Sequence, residues 1–401
     1  MELNERCLGE DMKIGILTYH RSINYGAVMQ AYALARRLQE VPGVQVEVID
    51  YMSARMDKYY KMFTVYRGRN GISKIKNRFE MYSAFQSGIS QLPLSNERLI
   101  SDDQNRFNRY IANKYDMIVV GSDAVWNYEK RGLPNPYFLI GADNVRKVSY
   151  AASCNGIKYD QVDDEKLRIL TDAFSDFEYI GVRDELTRKL VGKAIGKDIS
   201  HHNCDPTFLL DFQKDGLDDN FRGELLKKLV EKYHWDVKKR HIGLMLSNLN
   251  GDLSRKLVDE LKNRYGKNYQ IVSLYSYCKY ADIPYISDLT PFEWSRIFSL
   301  FDITFSKYFH GTLLSILNET PVISLSAEIE AAGIPAKVED VLSRLALMEF
   351  YCPARKASDI DWDQFLCKVD RLICEPPKER MRESVSRERL CANSFFEYIS
   401  K

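Results

Sequence analysis

Residues 13–51 contain KIGILTY (13–19), AVMQAYALARRLQ (27–39) and VQVEVIDY (44–51), and these segments decide the fold class. The first and last are short apolar runs typical of buried strands, whereas the middle one repeats apolar residues at helical spacing. A strand, a helix and a strand within about 40 residues form the βαβ unit of a parallel sheet. The turn Asn24-Tyr25-Gly26 lacks the GxGxxG spacing, so a nicotinamide-type cofactor has little support.

The same alternation continues through two halves of the chain. Further strands of the first half are predicted at 117–121, 147–151, 179–182 and 207–210. After the charged stretch 211–240, a second cycle has strands at 241–247, 269–274, 302–305 and 321–325, and helices at 252–264, from Thr290, and at 311–318. The sequence therefore predicts an α/β, GT-B-like protein with two Rossmann-like domains facing a central cleft. The expected domains are 13–210 and 241–350, followed by a helical tail at 351–401.

Composition narrows the functional classes. Of the 401 residues 45% are hydrophobic and 28% charged, with a formal net charge of +1, so no global field favours nucleic acid. The sequence has no run of 18 apolar residues, and residues 1–12 are acidic and do not fit a signal peptide. Eight cysteines without a CxxC pair are typical of reduced thiols, so the expected location is cytoplasmic.

We expect no metal site. The segment HHNCD (201–205) is rich in possible ligands, but consecutive residues on a strand point to opposite faces and do not ligate one ion. The sequence also contains no HExxH motif.

Polar residues directly after strands are the strongest site candidates, because ligands of α/β domains bind outside the carboxyl ends of the strands. His310 follows the strand at 302–305 and precedes Gly311-Thr312 at a helix start, where free N–H groups bind anions. Its alternative role is to cap or pack that turn. Arg183 follows the strand at 179–182 and suits a carboxylate or phosphate, although an Arg183–Asp184 pair at a helix start is the simpler interpretation.

Other residues are weaker candidates. Lys307 and Lys337 are near His310 in sequence and suit a phosphate, although a lysine at such a junction is more often only solvated. Ser122-Asp123 and Trp126-Asn127 follow the strand at 117–121 and suit a saccharide, since they offer a carboxylate, an amide and an aromatic face. The turn Asn24-Tyr25-Gly26 is a further acceptor candidate.

Residues 55–82 combine eight Lys or Arg residues with six aromatic ones against only Asp57 and Glu80. One interpretation is an amphipathic helical insertion in the acceptor-side domain whose aromatic residues pack inward. The other is a surface that contacts anionic lipid headgroups or the diphosphate of a lipid-linked glycan.

Six ordered blocks carry a family resemblance: KIGILTYHRSINYGAVMQAYAL (13–34), YDMIVVGSDAVWN (115–127), VSYAAS (148–153), YIGVRDE (179–185), CDPTFLL (204–210) and FHGTLLSILNETPVISL (309–325). Together they resemble the polysaccharide pyruvyl transferase family over about 13–345. The resemblance implies a GT-B-like fold, phosphoenolpyruvate as donor substrate without a cofactor, and a saccharide acceptor that is often lipid-linked. It also implies that His310 and Arg183 face the donor. Two departures are Ala124, where glutamine is common, and Tyr308, where some members carry arginine.

The expected reaction follows from these assignments. His310 is the predicted general acid, Arg183 and Lys337 hold the two anionic groups of the donor, and Asp123 is the candidate acceptor base. The helix start should lower the pKa of His310 and the bound anion should raise it. The acceptor is expected to be polyprenyl-diphosphate-linked, with the enzyme peripheral on the inner face of the plasma membrane. The alternatives are a nucleotide-sugar glycosyltransferase and a non-catalytic glycan-binding protein.

Overall fold

A computed structural model describes residues 11–65, 72–246, 251–326 and 334–401. The strands are β1 (Met12–Leu17), β2 (Val44–Val48), β3 (Tyr51–Met52), β4 (Leu99–Ile100), β5 (Met117–Val120), β6 (Arg146–Ala152), β7 (Tyr179–Val182), β8 (His201–His202), β9 (Arg240–Met245), β10 (Tyr269–Ser273), β11 (Ile303–Ser306) and β12 (Val322–Ser324). The α-helices are α1 (Tyr25–Leu38), α2 (Ala54–Val65), α3 (Ile72–Ile89), α4 (Gln104–Ile111), α5 (Tyr128–Arg131), α6 (Asp164–Ser175), α7 (Glu185–Ile195), α8 (Asp219–Tyr233), α9 (Asp252–Tyr265), α10 (Pro291–Ile297), α11 (Phe309–Leu317), α12 (Lys337–Arg344), α13 (Trp362–Cys374), α14 (Lys378–Arg389) and α15 (Asn393–Ile399).

Two parallel sheets organise the chain. The first has the order β2-β1-β5-β6-β7-β8, and the second has the order β10-β9-β11-β12. The central strands β5 and β7 are buried along their whole length, as expected of parallel strands covered by helices on both faces. Because all the pairings run parallel, the carboxyl ends of the strands of each sheet open on one edge.

The two halves are joined by a continuous apolar core. Helix α1 packs on α10, where the Tyr25 and Trp294 rings stack with centroids 4.9 Å apart. Helix α3 approaches the same helix so closely that a Cβ on Gly88 would lie 2.3 Å from Cδ of Pro291. The interface is therefore a packed, largely apolar surface.

The C-terminal tail contacts both halves. Helix α13 covers the second sheet, where the Phe365 and Phe305 ring centroids are 5.9 Å apart. Helix α15 then packs against the first sheet, with the Phe395 ring 4.8 Å from that of Tyr150. Among the described residues, no helix has both the length and the apolar character needed to cross a membrane.

Two sequence predictions about local structure are wrong. The segment 207–210 is not a strand: a 3-10 helix occupies Pro206–Leu209, because the Asp205 carboxylate caps the N–H of Thr207 and Pro206 begins the turn. His310 does not precede its helix but is the second residue of α11.

The insertion at 55–82 consists of α2 and the first part of α3, and its residues 66–71 lie outside the described residues. Its aromatic residues do not all pack inward, since Tyr59 is 58% and Phe79 is 74% exposed.

Candidate active site

The site lies where the strand ends of the first sheet meet the first turn of α11. Arg183 is the residue after β7, Asp123 follows β5, and Asp205 begins the 3-10 helix after β8. His310 comes from the other half of the molecule, through α11. The structure thus brings Arg183, His310 and Asp123 together.

Arg183 is buried and directed at carboxylates. Its Nη1 donates to Oδ2 of Asp205 at 3.0 Å, and its Nη2 lies 4.0 Å from Oδ1 of Asp123. The guanidinium carbon lies 4.9 Å from the centre of the Phe309 ring. Its Nε is buried and has no hydrogen-bond partner within the described part of the chain. The arginine therefore has one donor that the described residues leave unpaired.

Among the described residues Arg183 pairs with Asp205 and Asp123 rather than with Asp184, which the sequence interpretation had as its partner. One oxygen of the Asp184 carboxylate accepts hydrogen bonds from the N–H and the hydroxyl of Thr187 at the start of α7. The other accepts from the Ser153 hydroxyl at 2.6 Å. Asp184 is thus the N-cap of α7, and Asp205 orients the arginine.

Asp205 is the central residue that the site prediction missed. Its buried Oδ2 accepts hydrogen bonds from Arg183 and from the Gln30 amide, and lies 3.8 Å from Nε2 of His310. Burial raises the pKa of this carboxyl, but His310, Arg183 and the Thr207 hydrogen bonds outweigh it and hold the pKa below its usual value. The residue lies in the CDPTFLL block (204–210), and the sequence analysis treats its carboxylate only as a possible metal ligand.

His310 is largely buried, with 12% of its side chain exposed, and its Nε2 atom is itself buried. Its Nε2 has no hydrogen-bond partner among the described residues. Burial, with Arg183 and Lys337 nearby, lowers the pKa of the imidazole, although Asp205 and Asp123 oppose the shift. Burial is therefore the main cause of the lowered pKa, whereas the sequence analysis attributes the lowering to the helix start. Gly26 faces the ring so closely that a Cβ there would lie 2.1 Å from Nδ1.

The residues after His310 serve the fold rather than the ligand. Thr312 is fully buried, its N–H donates to the carbonyl of Tyr308, and its hydroxyl lies 3.2 Å from that carbonyl and from the Ser324 hydroxyl, so its predicted donor contact is wrong. Gly311 is also buried, and a Cβ there would lie 2.5 Å from Oγ of Ser306. Its small size is thus explained by packing.

The two lysines occupy different positions. Lys307 follows β11 half-buried, and burial lowers the pKa of its amine. Lys337 is the first residue of α12 and is close enough to His310 to lower the pKa of the imidazole. Lys337 therefore adds positive charge near His310.

Three residues of the predicted acceptor site are structural. Trp126 is completely buried, donates from Nε1 to the carbonyl of Tyr137, and offers no face to a sugar. Asn127 caps α5 and donates to the carbonyl of Asn155. Tyr25 is buried in the interface between the halves rather than at a site.

The remaining acceptor candidates differ in their exposure. Asp123 is 20% exposed, and its backbone φ of +73° turns the chain beyond β5. The neighbouring Ser122 hydroxyl is buried without a hydrogen-bond partner among the described residues. Asn24 is exposed and caps α1.

A possible metal-ligand group among the described residues comprises His202, Glu388 and Cys391, whose ligand atoms lie within 4.8 Å of one another. Arg344 lies 3.1 Å from Oε1 of Glu388. Burial lowers the pKa of His202, but its bonds to Cys391 and Glu388 raise it to about 9. A protonated histidine and an arginine on one carboxylate describe an ion-pair network.

Solved structures identify the fold. A UDP-GlcNAc 2-epimerase from Neisseria meningitidis bound to UDP-GlcNAc is 10% identical, with a TM-score of 0.56 over 97% of this chain and 99% of that one. A putative UDP-N-acetylglucosamine 2-epimerase from Listeria monocytogenes is 11% identical, with a TM-score of 0.54 over 97% of each chain. These similarities confirm the predicted GT-B-like fold.

The sequence comparisons address the family. No curated protein matches the chain significantly. The family model for polysaccharide pyruvyl transferase matches residues 24–328, which is more than half of the chain and includes Arg183, Asp205 and His310. The chain therefore belongs to the polysaccharide pyruvyl transferase family.

Proposed function

We propose that the protein transfers the pyruvyl group of phosphoenolpyruvate to two hydroxyls of a saccharide, forming a cyclic ketal. The observation that carries this proposal is the buried Asp205 carboxylate, which lies between a guanidinium and an imidazole. An arginine with an unused donor suits an anionic substrate, and a neighbouring histidine can deliver a proton to it.

The charges around His310 support a donor with two anionic groups. Asp205 offsets the Arg183 charge, while Lys337 adds positive charge near His310. Phosphoenolpyruvate carries a carboxylate and a phosphate. In the proposal Arg183 and Lys337 each hold one of them, and Lys307 takes the place of the arginine that some family members have at Tyr308.

The proposed chemistry begins with proton transfer. Nε2 of His310 delivers a proton to the methylene carbon, which becomes a methyl group, and the central carbon becomes electrophilic. One acceptor hydroxyl bonds to that carbon and gives its proton to Asp123. A second hydroxyl of the same sugar then forms the other C–O bond and gives its proton to the now neutral His310. Inorganic phosphate departs with the electron pair of the broken C–O bond.

Donor binding would switch the acid on. In the free protein, burial lowers the pKa of His310 and favours the neutral imidazole. A phosphate and a carboxylate brought within contact distance stabilise the imidazolium and raise that pKa. Donor binding thereby favours the charged acid, because the molecule that receives the proton on its methylene carbon also carries the anions that stabilise the imidazolium.

The wider setting is also proposed. A polyprenyl-diphosphate-linked saccharide is the acceptor, and the enzyme works in the cytoplasm in capsule or exopolysaccharide synthesis. The exposed Tyr59 and Phe79 beside the basic residues of α2 and α3 support peripheral contact with an anionic membrane.

The test is to incubate the protein with phosphoenolpyruvate and a panel of lipid-linked glycans. Mass spectrometry should detect a product carrying one pyruvyl ketal, with release of one phosphate per ketal. The His310→Gln variant is the matched control for chemistry. Phosphoenolpyruvate left intact with every glycan, together with a nucleotide-dependent rise in melting temperature, would instead support a glycosyltransferase.

A further inference from the structure

A cavity separate from the Arg183–His310 site lies in the first domain, on the side of α2. Its volume is 180 Å³. Its wall contains four tyrosines and four basic residues: Tyr19, Tyr51, Tyr60, Tyr137, Arg21, Arg55, Lys130 and Arg131. Asp102 is the one carboxylate among its lining residues, so the cavity has an excess of positive charge.

Arg131 gives the cavity its strongest feature. Its guanidinium lies 4.2 Å above the centre of the Tyr19 ring, and the side chain is half-buried. Among the described residues no carboxylate lies within ion-pair distance of it. Arg21 differs, because Asp50 accepts from its Nε and Nη2 at 2.7 and 2.5 Å. A partly desolvated positive charge without a counter-charge has an unfavourable free energy. An anion bound beside Arg131 would supply that counter-charge and would itself be stabilised by the guanidinium.

The cavity is connected to the proposed acceptor base. The Tyr19 hydroxyl donates to the carbonyl of Ala124 at 3.1 Å, and Ala124 directly follows Asp123. Strands β1 and β5 are neighbours in the first sheet, so the loops after them open on the same edge. A ligand held over Tyr19 therefore lies beside Asp123, and Asp123 lies beside Arg183.

We propose that this cavity binds a phosphoryl group carried by the acceptor saccharide, as a monophosphate or a diphosphate. The inference rests on the proposed function, because it assigns the cavity to the acceptor. Arginine and lysine supply the charge for the phosphate, and tyrosines offer apolar ring faces and hydroxyls to the adjoining sugar. Whole-ligand pockets measure about 300–1,000 Å³, so this smaller cavity takes only the phosphoryl end and the first ring.

The test measures binding, which does not depend on catalysis. Inorganic pyrophosphate, a monosaccharide 1-phosphate and a short-chain prenyl-diphosphate monosaccharide are titrated by calorimetry into wild type and Arg131→Met. We expect the variant to bind each probe about tenfold more weakly or worse, since a charge-assisted contact is lost. Arg168→Met is the matched control, because Arg168 is exposed on α6 away from the cavity lining. It should bind as wild type does.

Two further variants keep the test decisive. Lys130→Met alters an exposed lining residue without disturbing the fold, and it should weaken the same probes severalfold. Pyrophosphate is small enough to enter the donor site as well as the cavity, and Arg183→Met alters only the donor site. If the cavity binds pyrophosphate, this variant should still bind it. Equal affinity of wild type, Arg131→Met and Lys130→Met for all the probes would overturn the proposal, as would loss of binding in Arg183→Met alone.

The probes also separate the sources of the phosphate. Tighter binding of the prenyl-diphosphate sugar than of the sugar 1-phosphate assigns the cavity to a lipid-linked diphosphate, and the reverse order assigns it to a sugar phosphate. Failure of the proposed function would appear differently. Phosphoenolpyruvate would then neither bind nor be consumed, while the phosphorylated saccharides still bound at Arg131.

Discussion

The contact between Gly26 and His310 allows the position of the proposed acid to be perturbed without changing its chemistry. A Cβ at Gly26 would lie 2.1 Å from Nδ1 of His310, whereas ordinary contacts begin at 3.4 Å. In Gly26→Ala the ring must therefore retreat by roughly 1 Å, a misplacement that costs about a hundredfold in rate. That loss corresponds to about 2.7 kcal/mol of transition-state stabilisation. We expect turnover to fall by this factor while the KM for phosphoenolpyruvate changes little.

The control for this variant is Gly223→Ala. Gly223 also lies in a helix, α8, but a Cβ there would have no neighbour within 4 Å. Phosphate release is followed for both variants at a temperature well below their unfolding, because crowding costs about 1–3 kcal/mol of stability. Normal turnover in Gly26→Ala would mean that the ring position does not matter to the reaction. Equal losses in turnover and donor affinity would make His310 a binding residue.

Four other predictions test the charges. His310→Gln should lose about a hundredfold to ten-thousandfold in turnover but little donor affinity; near-normal turnover would exclude it as the acid. Wild type should take up protons on binding phosphoenolpyruvate near neutral pH, because the pKa of His310 is low in the free protein and rises in the complex. Affinity should then rise as pH falls, and calorimetry in buffers of different ionisation enthalpy that showed no uptake would contradict this. Arg183→Met should abolish the rise in melting temperature caused by phosphoenolpyruvate, and an undiminished rise would remove Arg183 from the donor site. Lys58→Glu with Lys76→Glu should weaken binding to anionic liposomes, and unchanged binding would leave the insertion a scaffold only.

The fold was largely predictable because its signals are local. Apolar runs of strand length alternate with helical periodicity, and the parallel βαβ unit follows from that alternation. The error at 207–210 has a local cause as well. TFLL is apolar enough for a strand, but Asp205 and Pro206 before it favour a capped turn, and the turn forms.

The site was predictable only in part, since sequence position does not report burial or partners. The sequence singles out His310 and Arg183 because each follows a strand, and the structure brings both to Asp205. Trp126 also follows a strand, but its ring fills the core beside Phe174 rather than facing the cleft. Asp205 could not be assigned as the partner of both His310 and Arg183, because that contact joins segments far apart in the chain.

The packing between the halves implies that the site is assembled before any ligand binds. His310 belongs to α11, while Arg183, Asp205 and Asp123 belong to the first domain. Domains usually move relative to one another unless their interface is large and apolar. Here the buried Tyr25 and Trp294 stack across that interface, and opening it would expose both rings to water. The geometry around Asp205 is therefore maintained by the apolar core.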